Sequence, residues 1–141
     1  LFSCTECGRC HDVCPTFVTD KPLTLKRFNQ SLLSHLRKEE KNLFSKGKTA
    51  EEKVLVGEII RPETLWACTT CRACEEVCPV SIEHVPRIIG MRQNQVMMEE
   101  KYPEEMSNTF KGLERNFNPW GIGFDQRGDW SRGLDVPLMS D

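Results

Sequence analysis

Eight cysteines fall into two copies of one spacing, each closed by proline. The first copy is Cys4, Cys7, Cys10 and Cys14 before Pro15. The second is Cys68, Cys71, Cys74 and Cys78 before Pro79, and no cysteine lies outside the two runs. Thiolates repeated at such short steps are ligands for soft metals. An even count is also compatible with a disulfide framework, but such frameworks seldom repeat one tight spacing, and cysteines three residues apart bridge poorly. Structural zinc uses two C-x-x-C pairs, or pairs joined by histidine, rather than four cysteines in one run.

The C-x-x-C-x-x-C-x-x-x-C-P spacing is that of bacterial ferredoxins and predicts two [4Fe-4S] clusters. Cysteines at i, i+3 and i+6 wrap a loop around one face of a cube and reach three iron corners. The remaining corner faces away from that loop, so its ligand comes from elsewhere. In two-cluster proteins the last cysteine of each run serves the other cluster. The expected ligand sets are therefore Cys4, Cys7, Cys10 and Cys78 for one cluster, and Cys68, Cys71, Cys74 and Cys14 for the other. Eight thiols match eight corners and leave no iron open to substrate. Electron transfer is thus expected rather than catalysis at iron, and the chain should not be catalytic alone. Pro15 and Pro79 turn the chain away after the far ligand.

The 141 residues suffice for one domain with a modest core. Clusters would act as cross-links that replace part of that core and tie folding to metal binding. The formal charge is −2. Two oxidised clusters with their thiolates bring the loaded chain to about −6, which argues against a nucleic-acid partner. Thiolate-bound clusters suit a reducing compartment, so a cytoplasmic location is expected. No apolar run is long enough to span a bilayer. Leu1 in place of methionine, a ligand three residues later, and the loop-like stretch Gly133 to Pro137 are what a fragment of a longer chain would show.

The elements that must position the cysteines are helical. No segment alternates with β-branched residues, so the fold class expected is all-α, about five helices around two cluster loops. The organisation expected is one dicluster domain over 1–141. It consists of a first motif at 1–15, a helical spacer at 16–67, a second motif at 68–79, and helices with an irregular wrap at 80–141. After a turn at Lys21-Pro22-Leu23, Leu25, Phe28, Leu32 and Leu36 form a helical stripe, widened by Leu33. Ser45 to Thr49, with Gly47, reads as a loop, and Ala50 to Ile60 as a second helix. Glu63 to Ala67 reads as a short helical lead with Trp66 near the second loop. Ser81 reads as the N-cap of a helix running to about Lys101, with Val85, Ile88, Ile89, Arg92 and Val96 on one face. Pro103 should open a further helix marked by Met106, Phe110, Leu113 and Phe117. The stretch from Asn118-Pro119-Trp120-Gly121 onward reads as a wrap anchored by tryptophans.

Other residues carry weaker signals. His11, beside Cys10, is either a solvated loop residue or a tuner of cluster potential. His35 is expected at a partly exposed position. His84 suits a structural hydrogen bond better than ligation. Arg9 and Arg72, between ligands, either offset cluster charge or face solvent. Trp66, Trp120 and Trp130 are expected to be packing anchors rather than an electron-hopping chain. Met91, Met97 and Met98 mark a helix that either docks a partner or packs against further parts of a longer protein. Arg37 to Lys41 reads as a solvated charged face.

Two such motifs separated by helices resemble the α-helical ferredoxin domains in the C-type subunits of heterodisulfide reductase and of anaerobic glycerol-3-phosphate dehydrogenase. A related form occurs in the iron–sulfur subunit of succinate dehydrogenase. The stretches Cys78 to His84, Ile89-Gly90-Met91-Arg92, and Asn118-Pro119-Trp120-Gly121 with Arg127 and Trp130 narrow the resemblance. They resemble the membrane-bound (Fe-S)-binding oxidoreductases, which are similar to the D-type component of heterodisulfide reductase. Phe117 departs from that pattern, since family members often carry glycine there. The resemblance implies a relay of single electrons inside a larger oxidoreductase at the cytoplasmic face of a membrane. It implies a donor such as electron-transfer flavoprotein, a quinone pool as acceptor, and adjoining heme membrane and CCG domains, with no small-molecule substrate bound directly. The alternatives are a relay like the C-type component of a soluble heterodisulfide reductase complex and a redox-silent structural metal module.

Overall fold

The computed structural model describes residues 1–44 and 54–136. Among these the chain is all-α, with eight helices, one further helix-like turn at Leu55–Ile59, and no strand. The sequence predicts about five helices; the number rises because the cysteine runs fold into one-turn helices of their own. Among the described residues no helix is long and apolar enough to cross a membrane. The chain forms two compact units, Leu1–Glu100 and Lys101–Asp141.

In the first unit, one-turn helices α1 (Arg9–Asp12) and α2 (Pro15–Val18) precede the long α3 (Leu25–Phe44). Short helices α4 (Pro62–Trp66) and α5 (Ala73–Glu76) then lead to α6 (Val85–Met97). Pro15 and Pro62 open α2 and α4, where a missing N–H costs nothing. The predicted stripe of α3 holds at Leu25, Phe28 and Leu32, which are buried with Leu23, Leu65, Val85 and Ile88 in one core. Leu33, Leu36 and His35 are only half-buried. Cys14 and Cys74 belong to the same core. Ligand thiols are thus part of the apolar interior, which couples metal loading to folding. The α1 helix packs against α5, so the one-turn helices of the two runs meet, and α4 packs against α6.

Several boundaries depart from those expected. The loop at Ser45 to Thr49 and the start of the helix expected from Ala50 lie outside the described residues. The described part of that span is no helix to Ile60: Leu55–Ile59 is a tight turn in which Val56 is extended and Gly57 has φ +116°. Gly57 donates to the Ile60 carbonyl and Ile60 to that of Leu55, which buries Val56 and Ile60 together. Ser81 is no N-cap; it sits at φ +50°, and α6 starts at Val85. The cap is Glu75, whose Oε1 accepts the Val85 N–H at 2.7 Å, a partner the linear sequence gives no hint of. The α6 helix ends at Met97, short of Lys101, where the N–H groups of Met98 and Glu99 both turn back to the Asn94 carbonyl. Its buried face holds His84, Val85, Ile88 and Gln95, while Ile89 points outward.

The second unit is built on α7 (Met106–Asn116), which starts three residues after Pro103. Tyr102 meets Phe110 edge to face, with ring centroids 4.9 Å apart. Phe117 caps α7 in the left-handed region at φ +58°. The following loop is held by one side chain. Asn118 Oδ1 accepts the N–H groups of Trp120 and Ile122, and its Nδ2 donates to the carbonyls of Asn116 and Ile122. Trp120 lies 78% and Trp130 72% exposed, so neither is the anchor expected of it. The loop crosses so near α7 that a Cβ on Gly112 would sit 2.7 Å from the Asn118 carbonyl oxygen. A 3-10 helix, Phe124–Ser131, completes the unit, with the Arg127 guanidinium 4.9 Å from the Phe124 ring.

Two substitutions should therefore move the second unit in opposite directions. Gly112→Ala should destabilise it by about 1–3 kcal/mol, because backbone must shift to admit the methyl group. Phe117→Gly should stabilise it by roughly 1 kcal/mol, because an exposed phenyl is lost and the left-handed position is relieved. Denaturant unfolding followed by tryptophan fluorescence measures both.

Candidate metal centres

The two cysteine runs share a backbone as well as a spacing. Left-handed residues occur at Glu6 and Gly8 in the first run and at Thr70 and Arg72 in the second, each pair 64 residues from its counterpart. A one-turn helix follows at matching positions, Arg9–Asp12 and Ala73–Glu76. Each left-handed residue folds the chain back between ligands, so that side chains three apart point to one side. Gly8 takes this conformation freely. Arg72 takes it at φ +63°, with its guanidinium 3.9 Å from the Glu75 carboxylate.

The eight thiols are gathered around two hollows. Cys4, Cys7, Cys10 and Cys78 line one, beside Pro79, Val80 and Ile82. Cys14, Cys68, Cys71 and Cys74 line the other, beside Leu23, Leu25 and Val85. The last cysteine of each run thus turns into the hollow of the other run. All eight are free thiols. Among the described residues, no three His, Cys, Asp or Glu side chains converge as ligands of a single ion. The donors bound a space rather than a point. Four soft sulfurs around an apolar-walled space fit a metal–sulfur cube and fit tetrahedral zinc poorly.

Burial grades the thiols. Cys7 and Cys71 are exposed, whereas Cys14 and Cys74 are buried. Desolvation pushes the Cys74 thiol up to about 12 and raises Cys10 and Cys68. The Arg9 N–H lowers the thiol pKa of exposed Cys7. Sulfur also receives backbone donors: Thr70 N–H to Cys68 at 3.4 Å and Ile82 N–H to Cys78 at 3.3 Å. Such donors stabilise thiolate charge where water is scarce. Iron loading must displace protons from the buried thiols.

Residues outside the runs hold them in place. Thr16 hydroxyl donates to the Ala67 carbonyl at 3.0 Å, tying the residue after Pro15 to the residue before Cys68. His11 stacks on Phe17 at 4.7 Å, and its Nε2 accepts the Lys26 N–H, so it is a brace between the first run and α3. The ring is half-buried in that position. His84 is buried, and its Nδ1 accepts from Arg87, which also donates to Asn29 Oδ1 and the Glu83 carbonyl. Asn29 in turn donates to the Leu1 carbonyl. Arg92, on the face expected to be apolar, donates to the Leu65 carbonyl from Nε and Nη2 and to the Cys68 carbonyl from Nη2. It also lies 5.1 Å from the Trp66 ring, so Trp66 is packed as expected. Sequence pattern missed the roles of Thr16, Asn29, Glu75, Arg87 and Arg92. Only Arg92 left a signal, as a cation on an otherwise apolar stripe.

Comparison with known proteins agrees with this donor set. The family model of the 4Fe-4S dicluster domain matches residues 1–82. The chain is 39% identical over 150 residues to the "EtfAB:quinone oxidoreductase" of Syntrophomonas wolfei, covering 92% of this chain and 21% of that protein. It is 34% identical over 153 residues to a "Probable membrane-anchored ferredoxin" of Chromohalobacter salexigens, covering 99% of this chain and 23% of that protein. A more distant relative is a heterodisulfide reductase C-like protein of Archaeoglobus profundus, 26% identical over 102 residues, 72% of this chain and 43% of that protein. The chain spans about a fifth of the length of the first two relatives. No solved structure matches it.

Burial, with the Arg87 charge beside it, holds His84 well below the usual imidazole range, at about 4, so it is neutral at pH 7. Its folded-state pKa is depressed below the ordinary value of about 6.5. The stability this supplies is present above that value and is lost as pH falls from about 6.5 toward 4. The His84→Gln variant should lack this component. Unfolding midpoints at closely spaced pH values should converge for the two proteins toward pH 4 and separate toward neutrality.

Proposed function

Because the chain belongs to the 4Fe-4S dicluster domain family, whose cofactor is two [4Fe-4S] clusters, we propose that it relays single electrons inside a larger oxidoreductase, from a flavoprotein donor toward a membrane quinone pool. The coarser statement, an iron–sulfur electron-transfer module, already follows from the family and its oxidoreductase relatives. One observation carries the relay reading: each hollow is bordered by three cysteines of one run and the last cysteine of the other. That supports ligand sets of Cys4, Cys7, Cys10 and Cys78, and of Cys68, Cys71, Cys74 and Cys14. Crossed ligation would keep the two centres side by side, as single-electron exchange requires. When bound, the clusters supply reversible one-electron chemistry. The chain's residues do the rest: they would saturate the iron with thiolates, they donate N–H groups to sulfur, and they leave Cys7 and Cys71 the most exposed of the eight.

The finer assignment draws on the relatives. The protein of Syntrophomonas wolfei is named for transfer between EtfAB and quinone, and that of Chromohalobacter salexigens for a membrane anchor. We place this chain likewise at the cytoplasmic face of a membrane, as one domain of a longer protein. The alternative of a relay in a soluble heterodisulfide reductase complex is supported by the Archaeoglobus profundus relative.

Anaerobic iron and sulfide analysis with an EPR-monitored redox titration tests the relay. Two interacting reducible centres support it, whereas centres silent over the accessible range leave a structural module. Paired substitutions test the ligand sets. Cys14→Ala combined with Cys71→Ala should cost one centre only, since both thiols border one hollow. Cys14→Ala combined with Cys7→Ala should cost both. The reverse pattern would show each run binding its own cluster.

A further inference from the structure

The α6 helix carries two half-buried arginines five residues apart, and their surroundings share an unusual feature. Arg87 spends its hydrogen bonds on neutral acceptors: the Glu83 carbonyl at 3.0 Å, Asn29 Oδ1 at 2.9 Å and His84 Nδ1 at 3.2 Å. Arg92 does the same with the Leu65 carbonyl at 3.1 and 2.7 Å and the Cys68 carbonyl at 2.7 Å. A guanidinium cannot shed its proton, so partial burial is costly unless a negative charge lies near. Neutral acceptors satisfy its donors but not its charge.

The anionic groups that would act on the two arginines lie mostly in the cysteine runs once their thiols are ionised as ligands: Cys68 for Arg92, and Cys4, ahead of Glu75, for Arg87. Glu75 serves chiefly elsewhere, receiving the Val85 N–H on one oxygen and facing Arg72 with the other. Neither arginine lines a hollow itself, but each is bonded to a residue that does. Arg87 donates to His84, which lines the hollow of Cys4, and Arg92 donates to the carbonyl of Cys68, which lines the other. Burial of His84 in its neutral form keeps a second positive charge away from Arg87.

We propose that α6 supplies one fixed cation to each cluster, Arg87 to the first and Arg92 to the second, and that each raises the reduction potential of its own cluster. The inference rests on the two ligand sets proposed above. Reduction adds one electron to a site that is already anionic, taken from an external one-electron donor. A cation held in a water-poor surround stabilises the reduced form more than the oxidised one. The hydrogen bonds to neutral acceptors fix where the charge sits, which makes both arginines positioning and electrostatic residues rather than ligands.

The test uses the full-length protein, prepared anaerobically, with Gln and Lys variants at each position. EPR redox titration with low-potential mediators follows both centres. Arg92→Gln is expected to lower the potential of one centre by about tenfold in its reduction equilibrium, which is about 59 mV for one electron. Arg87→Gln should lower the other centre by a similar amount. Arg92→Lys and Arg87→Lys, which keep charge but lose the forked hydrogen bonds, should lie nearer the unaltered protein. Unmoved potentials in loaded Gln variants would overturn the inference, as would both arginines shifting the same centre. If a Gln variant loses the iron of one centre while the Lys variant keeps it, the need for charge is supported. If both variants lose it, the residue is only a backbone clamp and the inference fails. An unaltered protein without any reducible cubane signal would instead remove the cluster reading itself.

Discussion

A thiolate three residues from its neighbour can share one face of a cube with it, but no short loop can wrap all four corners. With the ligand sets proposed above, that constraint brings the two runs, 64 residues apart, against each other, and the packing of the first unit fits it. Cys14 and Cys78 each turn toward the opposite run, α1 packs on α5, and Thr16 reaches across to the carbonyl of Ala67. The spacer has to return the chain to its starting point. The α3 helix leaves the first run, and α4 delivers the chain back to Cys68. Because Cys14 and Cys74 sit in the same core as Phe28, Leu65 and Ile88, the site is not attached to a finished scaffold. It is a large part of what the core is packed around.

Electrostatics imposes the second condition. Desolvation makes three of the thiols, Cys10, Cys68 and Cys74, resist ionising, most strongly Cys74. Positive metal, backbone N–H groups and nearby cations must together make up that cost. The protein meets it with few charged groups, placed with care. Arg87 and Arg92 on α6 are held by neutral acceptors, Glu75 caps the same helix, and His84 is kept uncharged. One helix thus organises the charge around both hollows while its buried face closes the core.

The second unit is stabilised by other means. Its fold depends on Asn118, whose amide satisfies four backbone groups in a loop that Gly112 allows to approach α7 closely. Phe117 occupies a left-handed cap where the resembling family often carries glycine, and the helix closes there despite the strained residue. The loop is held by hydrogen bonds rather than aromatic packing, and Trp120 and Trp130 are both exposed.

The chemistry was legible in the chain alone. Ligand type, number and spacing are local properties, so the four-cysteine runs by themselves announce thiolate-bound cubes. The stripe Leu25, Phe28 and Leu32 was legible for the same reason, since helical periodicity is local. The residues that surround those ligands were settled only by the fold. Glu75 caps a helix ten residues later, Arg92 clamps a carbonyl 27 residues earlier, and Arg87 bonds a side chain 58 residues away. None of these pairings has a period or a spacing. Each is set by where packed helices happen to cross, and a buried polar group takes whichever partner the crossing provides. The turn at Gly57 and the exposed tryptophans escaped the sequence for a related reason: apolar pattern predicts burial only when no local hydrogen-bond network offers the backbone an alternative.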